Sequence, residues 1–217
     1  MEAFVDVGAM SPYLKSEDDR AALFRTLCSQ SALLVMLRVW PDSDLDALTS
    51  YWGAGGRERQ VRPLLESLKR LPEGGSISVA QLVPHFARSR IYTFPQLEGT
   101  SANGPQDCHW TTFNFWNLTP NDGFSQAANV GSELATAYHP IEKPRQLGDV
   151  VFFLNYKGEG VHSAVYVADD VVFTKNGSNM AAPWIFMHLP DLLTYYEAIG
   201  ATKTVYFRKN VIEEAKR

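Results

Sequence analysis

Two side chains in the second half of the chain have the types and the order of a nucleophile and its base. Cys108 follows the segment 104–107, and residues 110–117 carry aromatic side chains at the spacing of a helix that buries one face. A thiol in the first turn of a helix is stabilised as a thiolate by unpaired backbone N–H groups and by the helix dipole. With Asp107 as the cap, the sequence predicts a cysteine of lowered pKa.

A nucleophilic cysteine also needs a base within hydrogen-bond reach, and His162 begins a predicted strand. A third polar group has to orient the imidazole. Alternation on the next strand places Thr174 and Asn176 on one face. A tight turn at 169–170 pairs Asn176 with Ser163, diagonal to His162, unless a bulge changes the register. We predict Asn176 as the orienting residue and keep Thr174 as the alternative.

Such a pair catalyses acyl transfer. The Cys108 thiolate attacks a carbonyl group, His162 donates a proton to the leaving group, and water then releases the acyl-enzyme. The backbone N–H of Cys108 is the expected first donor to the oxyanion, and a second donor comes from Gln106 or from Tyr92 on an upstream predicted strand.

Further aromatic and histidine residues are candidates for the cleft. His109, beside Cys108, lies either on the helix surface or in the cleft, and Trp184 in the connection 177–187 is either core or a cleft wall. The other histidines have no acidic or histidine partner at metal-ligand spacing, and no Gly-rich stretch precedes a Lys-Ser or Lys-Thr pair. We predict neither a metal nor a cofactor.

Composition excludes several classes of protein. The 217 residues contain 20 Lys and Arg against 24 Asp and Glu, so the formal charge of -4 offers no electrostatic footprint for nucleic acid. No run of about 18 apolar residues predicts a membrane span. Glu2 and Asp6 stand where a signal peptide would carry cations, so no signal peptide is visible. We predict a soluble protein, either cytoplasmic or processed and extracytoplasmic, and leave the compartment and the oligomeric state open. Cys28 has the helical spacing of a buried structural thiol.

The elements that position the pair follow an α+β pattern. Helices are predicted at 17–39, 44–52, 57–70, 76–86 and 189–199, and strands at 90–94, 149–155, 161–168, 171–175 and 202–208. The stretch 99–105, rich in Ser, Asn and Gly, is the best boundary signal. We therefore divide the chain into a helical N-terminal region, 1–98, and a catalytic domain, 99–217.

The second half resembles a known family. A helix opened by Asp107-Cys108, the Gly148-Asp149 pair before a strand, the strand His162-Ser163-Ala164-Val165-Tyr166-Val167 and the strand that ends at Asn176-Gly177 are similar to the NlpC/P60 superfamily of papain-like cysteine hydrolases. The resemblance spans residues 104–208. It implies a central antiparallel sheet packed on the Cys-bearing helix, and cleavage of an amide bond in a peptide or peptidoglycan-like substrate.

Two departures from the family pattern and two rival functions complete the prediction. The third residue is not His, and His109-Trp110 follow Cys108 where small residues are more usual. An acyltransferase or esterase on the same fold is one rival, although lipid-acting relatives of permuted topology place His before Cys. A non-catalytic binding module is the other, and it has no need of both Cys108 and His162.

Overall fold

The computed structural model describes residues 13–27, 30–95, 104–179 and 181–210. Its helices are α1 (Glu17–Leu27), α2 (Leu45–Trp52), α3 (Glu58–Lys69), α4 (His85–Arg90), α5 (Cys108–Phe113), α6 (Ala127–Ala137) and α7 (Leu189–Ala198). Its strands are β1 (Met36–Val39), β2 (Gly75–Ser78), β3 (Tyr138–Ile141), β4 (Val150–Leu154), β5 (Gly160–Ala168), β6 (Val171–Lys175), β7 (Trp184–His188) and β8 (Lys203–Lys209).

Six strands form one antiparallel sheet in the order β3-β8-β4-β5-β6-β7, and β1 and β2 form a separate antiparallel pair. The predicted mixed α+β class is therefore confirmed, as are the predicted strands that became β4, β5, β6 and β8. The short β-branched and aromatic runs between turn residues were sufficient to identify these four strands. The sequence prediction missed α6, β3 and β7.

The N-terminal region is not all helical, and three predictions there are wrong. The helix expected over 17–39 ends at Leu27, and the apolar run beyond it pairs with β2 as β1, where Val39 is fully buried. The helix expected over 76–86 is replaced by β2, a single 3₁₀ turn and α4. The strand expected over 90–94 is the end of α4 followed by a turn, in which Tyr92 has a φ of 64°.

One hydrophobic core contains residues from both predicted parts of the chain. Trp52, Leu65 and Phe86 from the first part pack in the same cluster as Trp110 and Phe173 from the second. Since the side chains of both parts fill one core, the helices before residue 95 support the same face of the sheet as α5. The boundary predicted between residues 98 and 99 lies outside the described residues, and so does Cys28.

The ring of Trp116 joins the two parts at a second place. A Cβ at Gly55 would lie 2.7 Å from this ring, and a Cβ at Gly148 would lie 2.2 Å from it. Both glycines also have positive φ angles, 77° and 94°, which side-chain-bearing residues rarely adopt. Gly148 therefore permits both the turn before β4 and the close approach of the indole ring.

The opposite face of the sheet is covered by α7. Phe153, Ala164 and Val172 of the sheet pack with Leu192 and Tyr196 of this helix. The sheet is therefore buried on both faces in its centre, with α5 on one side and α7 on the other. Of the helices in the described ranges, none combines the length and the apolar character needed to cross a bilayer.

Candidate active site

Helix α5 places Cys108 at its first position, as the sequence predicts. Asp107 is the N-cap, and its Oδ1 accepts a 2.8 Å hydrogen bond from the backbone N–H of Trp110. The helix is held against the sheet by its buried aromatic side chains and by a 2.9 Å hydrogen bond from the Trp184 indole N–H to Thr111 Oγ1. Cys108 is 5% exposed. The N-terminus of this helix is therefore fixed in position against the sheet.

The register of the β5–β6 hairpin differs from the predicted one. Ala168 pairs with Val171, as expected for the turn at 169–170, but a bulge follows and Val165 pairs with Phe173. The extra residue moves every later partner by one position, so Ser163 no longer opposes Asn176. The alternation of residues along the two strands does not indicate a bulge of this kind.

The two strands of this hairpin separate at the site. Pairing between β5 and β6 ends at Val165 and Phe173, whereas β6 continues to pair with β7 as far as Lys175 and Trp184. The start of α5 lies against this opening. The Cys108 sulfur accepts hydrogen bonds there from the backbone N–H groups of Ser163 and His109. The sulfur therefore lies beside the peptide bond that follows His162.

The His162 ring is fully buried and held through one nitrogen. Its Nε2 lies 3.0 Å from Thr174 Oγ1, and the Thr174 hydroxyl donates to Asn176 Oδ1 at 3.4 Å. Since Thr174 donates its single proton to Asn176, its oxygen accepts the Nε2–H of His162. Nδ1 is then the unprotonated nitrogen. Within the described part of the chain this buried atom has no hydrogen-bond partner.

Thr174 and Asn176 form consecutive links of one hydrogen-bonded chain that starts at His162. Thr174 contacts the imidazole, and Asn176 contacts Thr174 and donates through Nδ2 to Gln30 Oε1 at 2.7 Å. The residue in direct contact with His162 is therefore the alternative of the sequence prediction, and the favoured Asn176 is one step further away. Thr174 and Asn176 lie beyond the last paired residues of the hairpin, Val165 and Phe173, so the contacts of His162 are set where the two strands separate and not by the diagonal on which the preference for Asn176 rested.

Tyr196 on α7 covers the pair. Its ring stacks on the His162 ring with 3.9 Å between centroids and 11° between planes. Tyr196 also interacts electrostatically with Cys108, which together with burial raises the pKa of the phenol. One aromatic side chain thus reaches both members of the pair.

The ionisation of the site runs against the sequence prediction. Burial raises the pKa of Cys108 to about 12, and the Asp107 carboxylate adds to this rise, while the N–H groups of Ser163 and His109 and the charge of Lys175 oppose it. Burial also lowers the pKa of His162 well below its ordinary value. At neutral pH the pair is a thiol and a neutral imidazole. The expected low pKa of Cys108 is therefore wrong for this closed arrangement.

His109 is half-buried beside the pair. Its ring stacks on Phe152 with 5.2 Å between centroids, and its Nδ1 lies 2.9 Å from Ser163 Oγ. A cavity of about 310 Å³ begins at this ring and is lined mainly by apolar side chains of α6, β4 and β8. A second cavity of about 290 Å³ lies beside Asn176 and Gln30. Both cavities adjoin residues that contact the pair or its hydrogen-bonded chain.

Two other candidates are engaged elsewhere. The Tyr92 N–H donates to Trp184 O at 2.7 Å and its hydroxyl donates to Leu33 O at 2.6 Å, so Tyr92 has no free donor for an oxyanion. Trp184 is 2% exposed on β7 and belongs to the core, the first of the two alternatives predicted for it, and not to a cleft wall. Gln106 is half-buried, one residue before the cap of α5.

One charged residue of the site was missed. Lys175 is fully buried at the end of β6, and its ammonium group interacts electrostatically with Cys108 and Asp107. The available signal was alternation, which places Lys175 on the same face as Val171 and Phe173. A lysine among core positions of a strand is rare enough to indicate a special environment.

In the described ranges no group of three or more His, Cys, Asp or Glu side chains is placed to hold a metal ion. No protein-family model and no curated protein matches the chain.

Proposed function

We propose that the protein is a papain-like cysteine hydrolase that cleaves an amide bond in a peptide or peptidoglycan-like substrate. The observation that carries the proposal is the His162 ring, whose Nε2 is held by Thr174 and whose Nδ1 has no hydrogen-bond partner among the described residues, while the backbone N–H of the next residue, Ser163, donates to the Cys108 sulfur. A nucleophile, an oriented base and a helix N-terminus together are the parts that acyl transfer requires. The resemblance of residues 104–208 to the NlpC/P60 superfamily supports the same reaction.

The neutral pair sets the order of events. Nδ1 of His162 takes the thiol proton as the Cys108 sulfur adds to the substrate carbonyl carbon, so that the thiolate forms only with its acceptor in place. The imidazolium then donates this proton to the leaving amine. Water, deprotonated by His162, hydrolyses the thioester and restores the thiol.

The oxyanion formed in this step needs donors close to the sulfur. The backbone N–H groups of His109 and Ser163 already point at the Cys108 sulfur. Preorganised backbone donors of this kind contribute roughly 3 kcal/mol each to transition-state stabilisation. The apolar cavity that begins at His109 suits an uncharged side chain of the substrate next to the scissile bond.

The test is hydrolysis of a peptide library and of peptidoglycan stem peptides, followed by mass spectrometry of the products. We expect a new amine and a new carboxylate from the unmodified protein, and loss of at least 100-fold in rate for Cys108→Ala and His162→Gln. The matched control is Cys28→Ser, which should retain full activity.

Two outcomes would contradict the proposal. Activity that survives in Cys108→Ala would remove the nucleophile, and absence of any cleavage together with tight binding of an intact peptide would favour the binding-module alternative. Transfer of the acyl group to an added amine in preference to water would instead identify an acyltransferase with the same catalytic pair.

A further inference from the structure

Lys175 is a buried cation for which the described part of the chain provides no carboxylate counterion. Its Nζ donates to the carbonyl oxygens of Gly177 at 2.8 Å and of Asn179 at 2.9 Å. Among the described residues no carboxylate lies within ion-pair distance of it, whereas Lys209, at the end of β8 in the same sheet, pairs with Glu133. A charge removed from water is unfavourable unless it is paired, so the position of Lys175 calls for an explanation.

The side chain points to the start of α5. Lys175 pairs across the sheet with Trp184, and the Trp184 indole is hydrogen bonded to Thr111 on this helix. The ammonium group lies close enough to the Cys108 thiol and the Asp107 carboxylate for electrostatic interaction with both. The two carbonyl groups fix its position from the other side.

We infer that Lys175 is a positioning residue of the site, whose fixed positive charge stabilises the negative charge that develops on Cys108 and then on the substrate oxygen. This inference rests on the proposed function, because it requires Cys108 to react. The buried ammonium then has its counterion during the reaction: the thiolate first and the oxyanion second.

The charges balance through this step. The proton of the Cys108 thiol moves to Nδ1 of His162, which gives a thiolate and an imidazolium, and the charge of Lys175 does not change. When the sulfur–carbon bond forms, the electron pair of the carbonyl moves to oxygen. When the carbon–nitrogen bond breaks, the imidazolium proton goes to the leaving nitrogen.

Several other titratable groups face the Cys108 sulfur. Asp107 on the cap of α5 and Tyr196 on α7 both interact with it, and the backbone N–H groups of His109 on α5 and of Ser163, the residue after His162 on β5, donate to it. The Asp107 carboxylate disfavours a negative charge on the sulfur, and the Tyr196 phenol is neutral at pH 7. Lys175 is the cation among the described groups that acts on this thiol.

A purely structural role for Lys175 gives a different expectation. In that case its function is to hold the segment 177–179 through two hydrogen bonds, and the charge is incidental. Replacement by Gln keeps a donor without the charge, replacement by Arg keeps the charge, and replacement by Met keeps the length and removes both. The three variants therefore separate charge from hydrogen bonding.

The experiment measures alkylation of Cys108 by iodoacetamide in a Cys28→Ser background, where one thiol remains. Rates are determined from pH 6.5 to 10 for the unchanged residue and for Lys175→Gln, Lys175→Met and Lys175→Arg, with thermal midpoints recorded for each. We expect the Gln and Met variants to react about tenfold more slowly at pH 7, and the Arg variant to stay within about threefold of the parent. Because burial lowers the pKa of Lys175 to about 8, the difference should shrink above that pH.

Equal rates and equal pH profiles in the folded Gln and parent proteins would overturn the inference. So would loss of rate in the Arg variant equal to that in Gln, with both midpoints unchanged. If the Met variant fails to fold, the Gln variant carries the comparison. A rate that is insensitive to His162→Gln as well would instead overturn the proposed function, since the thiol would then have no base.

Discussion

At the residue scale, Cys108 shows how two physical effects compete at a helix start. The helix dipole and its free N–H groups stabilise a thiolate by about 0.3–1 kcal/mol at an ordinary helix end. Full burial disfavours the charged form by several pKa units, each about 1.4 kcal/mol. Cys108 is 5% exposed and lies beside the Asp107 carboxylate, so burial outweighs the helix. The sequence reveals the helix start but not the depth at which it lies.

The ionisation of Cys108 is open to direct measurement. Because burial raises its pKa to about 12, we expect the alkylation rate in a Cys28→Ser protein to keep rising between pH 7 and 9 without a plateau, by less than tenfold per pH unit above pH 8, where Lys175 loses its charge. Unfolding the same protein in urea should accelerate the reaction and restore a plateau above pH 9. A plateau below pH 7 in the folded protein would show that a thiolate is already formed.

Thr174 and Asn176 can be separated by substitution. Thr174→Val removes the acceptor of the His162 Nε2–H and leaves a buried donor unpaired, so we expect a loss of about 1–3 kcal/mol in the free energy of unfolding. The rate of substrate cleavage should fall tenfold or more. Thr174→Ser, the matched control, should retain both, and Asn176→Ala should have the smaller effect. The assignment is reversed if Asn176→Ala is the more damaging of the two.

At the scale of elements, the sequence was informative where one signal dominated. The runs that became β4, β6 and β8 are short, β-branched or aromatic, and bounded by turns, and the pattern of α3 has one clear apolar face. The sequence prediction was wrong where pairing with a distant segment determines the local structure. Met36–Val39 has helical spacing of apolar residues but gains a strand partner in β2. Trp184–His188 was concealed in a long connection, although it completes the sheet beside β6.

The contact of Gly148 with Trp116 predicts a large effect from one added methyl group. Gly148→Ala places Cβ 2.2 Å from the indole ring at a φ of 94°, so we expect a loss of about 3 kcal/mol or more in the free energy of unfolding. Gly158→Ala is the matched control, because Gly158 has a φ of 80° and nothing within 4 Å of the added atom. Gly158→Ala should lower the free energy of unfolding by about 1 kcal/mol. Similar urea midpoints for both variants would contradict the contact.

At the scale of the whole molecule, the buried titratable groups set the pH range of stability. His162 resists protonation in the folded state, so the unfolded chain binds the extra proton below pH 6.5 and stability falls as the pH drops through that value. Lys175 loses its proton at about pH 8 when folded and at 10.5 when unfolded, so it adds stability as pH rises in that interval. Cys108 has the opposite effect on stability above pH 9. The folded state keeps the thiol proton while the unfolded chain loses it, so stability falls as the pH rises.

We therefore expect stability to fall below about pH 6.5 and above about pH 10, because Lys175 offsets Cys108 between pH 9 and 10. Above about pH 10 the phenols whose pKa values are raised by burial add to the effect of Cys108 and outweigh Lys175; they are Tyr51, Tyr138 and Tyr196. Urea midpoints from pH 5 to 11 measure this profile. His162→Gln should flatten the acidic side and Cys108→Ala the alkaline side. A maximum below pH 6 is incompatible with a buried neutral His162.

The candidate site is a property of the whole molecule more than of its motifs. Residue types and chain order gave Cys108, His162, Thr174 on β6 and Asn176 just after β6 as candidates. Their connections depend on a bulge, on the separation of two strands and on Tyr196 from α7, which packs from the opposite face. These features arise from long-range packing, and neither alternation nor local propensity records them.

The place of β8 in the sheet has a consequence for synthesis of the protein on the ribosome. β8 lies between β3 and β4, so both neighbours keep an unpaired edge until residues 203–209 have left the exit tunnel. The carboxylate of Asp149, which is 1% exposed, also has no Arg208 to pair with until β8 has been synthesised. A nascent chain that already carries Cys108 and His162 but lacks β8 is therefore an incomplete sheet with two unpaired edges, the kind of surface at which strands of other chains can pair and aggregation can begin.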